Sequence, residues 1–170
     1  MLFFLKPIRL ALKALITEAT PGQLALGFAM GILIGIVPKG NLIAIALGII
    51  LAVSRANLGV AAATILGCSF LSGYLDPLSD EVGWWVLSHP SLTDMWTNLY
   101  NRPVMPWTDF NNSIVMGNLI IGIVLLYPMY RLSKPLFAKY TTKFATWAKK
   151  FWITRVLLGM ELADRLGAVR

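Results

Sequence analysis

Few side chains in the sequence are of the types that carry out acid–base chemistry or bind a metal. The chain has one histidine, His89, and one cysteine, Cys68, which lies within an apolar run. A metal site needs several convergent ligands, and a nucleophile needs a base beside it. Asp76 and Asp80 stand four residues apart, but a helix cap and a solvated carboxylate explain them better than a catalytic pair. The sequence therefore predicts neither an enzyme nor a metal or cofactor site.

Lys39 is the charged residue with the most unusual position. It lies between two uncharged apolar stretches, where Pro38-Lys39-Gly40-Asn41 breaks the helical pattern. An ionisable side chain at membrane depth is costly and often marks a binding site. Pro38, Lys39, Gly40 and Asn41 are therefore a candidate lipid or substrate site, able to hold a lipid phosphate or a partner carboxylate. The alternative is a lysine in a short loop whose ammonium reaches water.

The composition is that of a membrane protein. Hydrophobic residues make up 57% of the chain and charged residues only 14%, whereas a soluble domain is about half apolar and about a quarter charged. The net charge of +7 is explained more simply by attraction to anionic lipid than by nucleic acid. The aromatic residues of the basic tail follow a helical apolar stripe, and no nucleic-acid-binding motif accompanies them. Membrane lipids are the expected partners.

The break at residues 38–41 divides the first apolar stretch into two short helices. Residues 22–37 and 42–53 rise about 24 Å and about 18 Å at about 1.5 Å per residue. The hydrocarbon core of a bilayer is about 30 Å thick. A hairpin that enters and leaves by the same face fits these lengths, and so do two short spans across a thinned bilayer. Both alternatives remain open at this stage.

Three glycines of the first short helix, Gly27, Gly31 and Gly35, recur every four residues and share one helix face. In lipid the burial of apolar surface no longer drives helices together, so close approach of two backbones becomes important. We expect this ridge to pack against another helix, and it is a candidate contact for a partner protein.

The whole pattern predicts an all-α polytopic membrane protein with one domain. It has a proline-broken helical hairpin, two further membrane segments and a basic amphipathic helix at each end. The predicted parts are an interfacial helix at 1–20, the hairpin and a membrane helix at 21–75, an external polar and aromatic loop at 76–112, a transmembrane helix at 113–130 and a basic tail at 131–170.

Charge predicts the orientation of these parts. The tail carries nine Lys or Arg residues, whereas the loop carries five acidic residues against Arg102. Because positive charge stays on the cytoplasmic side, both termini are predicted to be cytoplasmic. The tail residues expected at the membrane surface are Lys134, Lys139, Lys143, Trp147, Lys149 and Lys150.

Several motifs resemble those of one bacterial family of small membrane proteins, a domain of unknown function. The first is Pro21-x-Gln23-Leu24-Ala25-x-Gly27 before the proline break. More specific motifs, similar to those of one subgroup, are Leu75-Asp76-Pro77-Leu78, Trp96-Thr97, Tyr100-Asn101-x-Pro103 and Phe110-Asn111-Asn112 followed by Val115-Met116-Gly117. The resemblance implies the bacterial inner membrane, and members of the family tend to be encoded beside a larger envelope protein.

The leading hypothesis is a non-catalytic inner-membrane subunit that docks such a larger envelope protein, in envelope lipid transport or homeostasis. The contacts expected in the external loop are Trp96, Tyr100, Asn111 and Asn112. The alternative is a small transporter or channel, a homo-oligomer that uses the break at Pro38–Asn41 as its substrate site, because discontinuous helices are a recurring feature of transporters.

Overall fold

A computed structural model describes residues 19–148 of the chain, and the regular secondary structure of this part consists of helices, without strands. Its five α-helices are α1 (Pro21–Ile36), α2 (Leu42–Val53), α3 (Leu58–Leu87), α4 (Thr93–Tyr100) and α5 (Ser113–Ala148). Two short 3-10 helices, Pro90–Leu92 and Met105–Thr108, flank α4. The predicted interfacial helix at 1–20 lies almost entirely outside the described residues, as does the tail beyond residue 148.

The short helix α1 is the centre of the bundle. Thr20 and Gln23 form a capping box at its N-terminus, and Pro21 occupies the first turn, where a missing N–H has no cost. It ends at Ile36, because the residue before a proline disfavours the helical conformation and Pro38 follows. Ten of its 16 residues are buried, and it packs against both long helices, α3 and α5.

The glycine ridge of α1 packs against α3 of the same chain. A Cβ on Gly27 would lie 2.5 Å from the Asn57 carbonyl oxygen, and one on Gly35 would lie 2.5 Å from the Cys68 Cβ. Gly31 stands between them, against Ala61 and Thr64. The contacts pair increasing residue numbers on α1 with increasing residue numbers at the start of α3 and along it, so the two helices run parallel. The ridge is buried inside the chain, so it is not a free surface for a partner protein.

Helix α2 lies on the outside of the bundle. Of its 12 residues only Leu51 is buried, in a cluster with Met30 and Ile34 of α1, while Ile49 and Val53 are exposed. Asn57, at the start of α3, donates its backbone N–H to the Gln23 carbonyl at 2.9 Å. The chain therefore returns from α2 to the N-terminal end of α1 before α3 begins.

Helix α3 continues through Pro77 to Leu87, so the predicted boundary between membrane helix and loop at residues 75 and 76 does not hold. Pro77 removes one backbone hydrogen bond, and it lies on an exposed face of the helix, which continues past it for ten residues. Asp76, Asp80 and Glu81 therefore lie on the C-terminal turns of a helix. The loop proper begins at Ser88.

Helices α3 and α5 cross where each carries two small residues, one turn apart. A Cβ on Gly83 would overlap the Ser113 carbonyl, and a Cβ on Gly117 would overlap the Ser79 carbonyl. This reciprocal pattern is the small-residue motif of closely packed membrane helices. Next to the crossing, the fully buried Ser79 donates a hydrogen bond to Asn118 Oδ1 at 2.8 Å. Asn118 is the one described residue whose buried amide nitrogen has no hydrogen-bond partner.

Helix α5 runs antiparallel to α1 and extends past the predicted end at residue 130. Gly122 packs against Leu33, and the Tyr130 hydroxyl lies beside Gly22. The helix continues to Ala148 through Pro128 and Pro135. The predicted boundary between residues 130 and 131 therefore does not hold: over the described residues, the segment at 113–130 and the start of the tail form one helix.

Among the described residues, two helices are long and apolar enough to cross a membrane, namely Leu58–Leu87 and the first 27 residues of α5, Ser113–Lys139. Most residues in the apolar stretch of each helix are not buried. Phe70 and Tyr74, on α3, are 84% and 85% exposed. Apolar surface of this extent is typical of contact with lipid or with another membrane protein. These features support membrane association, and α1 and α2 are shorter apolar helices.

The α1–α3 contact predicts opposite effects of alanine at two glycines. Gly31→Ala places a methyl group 2.6 Å from the Thr64 Cβ, so we expect overpacking to lower the free energy of unfolding by about 1–3 kcal/mol. Gly67→Ala on α3 meets nothing within 4 Å, so it should be neutral or stabilise by up to about 1 kcal/mol through helix propensity. Thermal unfolding of the detergent-solubilised protein, followed by tryptophan fluorescence, measures both. Equal effects of the two substitutions would contradict the packing.

Candidate functional site

The turn between α1 and α2 uses Lys39 to close the end of α1. The Lys39 Nζ donates to the Gly35 carbonyl at 2.5 Å and to the Val37 carbonyl at 2.8 Å. The Gly35 carbonyl also accepts from Ser69 Oγ of α3 at 3.3 Å. The last carbonyls of a helix lack intrahelical partners and carry partial negative charge, so an ammonium group there is stabilising.

Gly40 and Asn41 complete this turn. Gly40 has a φ of +100°, a conformation that side chains disfavour. Asn41 is 3% exposed and begins α2. Its Oδ1 accepts from the Ala44 N–H at 2.9 Å, and its Nδ2 donates to the Pro38 carbonyl at 3.0 Å. The side-chain groups of the candidate substrate site thus bond to the turn itself.

Other residues with reactive side chains lie apart from the turn or are held by neighbours. Cys68 lies against Gly35, and the His89 ring makes an edge contact with Trp85 at a centroid distance of 6.1 Å. Asp80 accepts a hydrogen bond from the Ser113 hydroxyl. Within residues 19–148, no three His, Cys, Asp or Glu side chains lie close enough together to hold a metal ion.

The loop between α3 and α5 folds into a small aromatic module, which we define as residues 88–112. Its centre is Phe110, 5% exposed, with the Trp96 ring at 5.8 Å and the Tyr100 ring at 6.2 Å between centroids. Trp96 also donates its indole N–H to the Val86 carbonyl at 3.2 Å, which ties the module to the end of α3. Phe110 was not predicted as a site residue, because a single aromatic residue among polar ones carries no periodic signal.

The module contains a cavity of about 360 Å³ between α4 and the residues that precede α5. Three of the four loop residues predicted as partner contacts line it, namely Trp96, Tyr100 and Asn111. Thr97 and Asn101 add polar groups to an otherwise aromatic wall. The fourth predicted residue, Asn112, serves as the cap of α5, since its Oδ1 accepts from the backbone N–H groups of residues 114 and 115.

Two residues of the module adopt a backbone conformation that is rare for their types. Val104 has a φ of 76° and Asp109 a φ of 53°, and they bracket the 3-10 helix Met105–Thr108. A left-handed conformation is costly for a β-branched residue and persists only where the surroundings impose it. The bracketed 3-10 helix contacts both α4 and α2. The module therefore contacts α2 as well as α3.

The residues predicted at the membrane surface lie along the last part of α5 and beyond. The Lys134 Nζ is 5.8 Å from the centroid of the Tyr130 ring, a cation–π distance. Lys139, Lys143 and Trp147 follow on the same helix. Lys149 and Lys150 lie outside the described residues.

Residues 7–146 match the bacterial family described as "Uncharacterized protein conserved in bacteria (DUF2062)". The chain belongs to this family. The match includes α1, α2, both long helices up to residue 146 and the aromatic module, and it confirms the expected resemblance to a family of bacterial proteins of unknown function. The chain is also similar to a protein of Treponema pallidum (strain Nichols) described as "Uncharacterized protein", at 25% identity over 130 residues, 76% of this chain and 80% of that protein. No solved structure matches the chain.

The hydrogen bonds of Lys39 predict a structural effect of its substitution. Lys39→Met removes a charged donor from two carbonyls, so we expect the free energy of unfolding to fall by about 1 kcal/mol. This is less than the loss of a buried hydrogen bond to a charged group, because the Lys39 side chain is exposed. Lys39→Arg keeps a charged donor and should retain most of that stability. The melting temperature of each purified variant checks this, and an unchanged value for Lys39→Met would show that the cap is not needed.

Proposed function

We propose that the chain is a non-catalytic subunit of the bacterial inner membrane that docks a larger envelope protein through the aromatic module. The observation that carries the proposal is the cavity of about 360 Å³ in this module. Its size is within the range of small binding pockets, about 300–1,000 Å³. Its wall combines aromatic rings with the amide groups of Asn101 and Asn111, a composition suited to an apolar side chain and the backbone of a protein segment.

The rigidity of the module supports docking over a role as a simple connector. The Trp96 hydrogen bond and the buried Phe110 hold its backbone in one arrangement, which keeps Val104 in a conformation that β-branched residues disfavour. A preorganised surface loses little conformational entropy when a partner binds.

The separation of charge supports an orientation with both termini in the cytoplasm. Arg55, Arg131 and Lys134 lie at the N-terminal end of α1. The five acidic residues among those described lie between residues 76 and 109, on the last part of α3 and in the module. Positive charge is retained on the cytoplasmic side, so the module faces the envelope space. In this orientation the hairpin enters and leaves by the cytoplasmic face, with its turn beside Cys68 and Ser69 of α3.

The transporter alternative gains no comparable support. Its substrate site would be the Pro38–Asn41 turn, whose polar side-chain groups already bond to the backbone of the turn and of α1. Involvement of the docked assembly in envelope lipid transport remains part of the proposal, since the exposed apolar faces of α2 and α3 leave the subunit in contact with lipid on its outer surface.

A substitution that fills the cavity tests docking. Thr97 is exposed and lines the cavity, so Thr97→Phe should block it without disturbing the Trp96–Phe110 contact. Trp107→Ala removes an exposed aromatic side chain that does not line the cavity, and is the matched control. Each tagged chain is extracted gently from native membranes, and co-purifying proteins are identified and quantified by mass spectrometry.

We expect one large envelope protein to co-purify in a fixed ratio with the wild-type chain and with Trp107→Ala. Thr97→Phe should recover at least tenfold less of this partner, although its melting temperature is unchanged. A chain that purifies alone or only as a homo-oligomer would contradict docking. Equal recovery of the partner with all three chains would show that the cavity is not the contact.

Cysteine labelling tests the orientation. In a Cys68→Ser background, Trp107→Cys should react with a membrane-impermeant maleimide added to intact spheroplasts. Ala138→Cys, an exposed position at the basic end, should react only after the membrane is permeabilised. The reverse pattern would place the module in the cytoplasm.

A further inference from the structure

Two cavities flank the N-terminus of α1 at the basic end of the bundle. One, of about 420 Å³, lies between α1, the loop before α3 and α5, and Arg55 is its charged residue. The other, of about 620 Å³, lies between α1 and the later turns of α5, and it is lined by Arg131 and Lys134. Thr20 and Gly22 line both, so the two cavities are adjacent.

The three cationic side chains of these cavities have no carboxylate beside them among the described residues. Every acidic residue in that part of the chain lies between residues 76 and 109, on the last part of α3 and in the aromatic module. Glu18, close in sequence, lies outside the described residues. Three cations around two cavities, together with the positive end of the α1 dipole, form a site for a group with negative charge.

The apolar and aromatic residues that line the smaller cavity favour a lipid over a free anion as its ligand. Leu26 and Leu126 line the smaller cavity, and apolar atoms supply most of its surface. Tyr127 and Tyr130 line the same cavity, and tyrosine favours the boundary between headgroups and acyl chains. Lys134, over the Tyr130 ring, links the two cavities. The site thus joins cationic groups to an apolar wall on a membrane helix, as an anionic lipid requires.

We propose that these cavities bind the headgroup of an anionic glycerophospholipid of the same membrane leaflet. Its phosphate lies among Arg55, Arg131 and Lys134, and the upper part of an acyl chain lies along Leu26 and Leu126. Basic pockets between membrane helices on the cytoplasmic side are suited to such headgroups. The site lies at the end of the bundle opposite to the aromatic module, so it does not depend on the docking function.

Lipid binding by the full-length protein tests the proposal. Native mass spectrometry of the detergent-solubilised chain is titrated with phosphatidylglycerol, cardiolipin, phosphatidylcholine and inorganic phosphate in separate series. The variants are Arg55→Gln/Arg131→Gln, the charge-preserving Arg55→Lys/Arg131→Lys and, as a control, Arg102→Gln in the module. All three substituted positions are exposed, so we expect the variants to fold, and circular dichroism without added lipid confirms it.

We expect phosphatidylglycerol or cardiolipin to bind the wild-type chain at least tenfold more tightly than phosphatidylcholine. Arg55→Gln/Arg131→Gln should weaken that binding at least tenfold, whereas the lysine pair and Arg102→Gln should change it less than threefold. Tighter binding of cardiolipin than of phosphatidylglycerol would show that both cavities hold a phosphate of one lipid. Equal affinity for phosphatidylcholine, competition by millimolar inorganic phosphate, or an equal loss with Arg102→Gln would overturn the proposal.

Discussion

The close contact of α1 with α3 is the interaction on which the rest of the structure depends. In lipid, helices gain little from burying apolar surface, and their association depends on packing at short range. Gly27, Gly31 and Gly35 remove the side chains that would hold the two backbones apart. A helix of only 16 residues can therefore form the centre of the bundle, and Gly122 gives α5 the same close approach to its other side.

The position of α1 determines where the polar turn at Lys39 and the proposed binding sites lie. Since α1 is short, its C-terminal carbonyls end beside the middle of α3, where Lys39 and Ser69 bond to them. Its N-terminus lies at the basic end, between the two cavities that carry Arg55, Arg131 and Lys134. The aromatic module lies beside the last turn of α3, where Trp96 donates to the Val86 carbonyl, and it contacts α2. Lipid and protein recognition are thus proposed for opposite ends of one compact unit.

Local patterns in the sequence predicted the features that depend on neighbouring residues. The spacing of four residues between the glycines and the break at Pro38 follow from helix geometry alone. Sequence did not predict that α3 passes Pro77 or that α5 passes Pro128 and Pro135, because a proline in a helical pattern usually indicates that the helix ends at the preceding residue. Nor did it reveal which helix faces the glycine ridge, or that Ser79 and Asn118 form a buried pair, since both depend on contacts distant in sequence.

The most direct test of the α1–α3 contact uses the natural cysteine of the chain. A Cβ on Gly35 would lie 2.5 Å from the Cys68 Cβ, so a shift of about 1 Å brings the pair to disulfide distance. Mild oxidation of Gly35→Cys in native membranes should give an intramolecular disulfide, seen as a loss of two hydrogen atoms in the intact mass of the monomer and as loss of both free thiols. Gly48→Cys, in open space on α2, should leave both thiols free. A disulfide-linked dimer from Gly35→Cys would show that the ridge faces another molecule and would contradict this account.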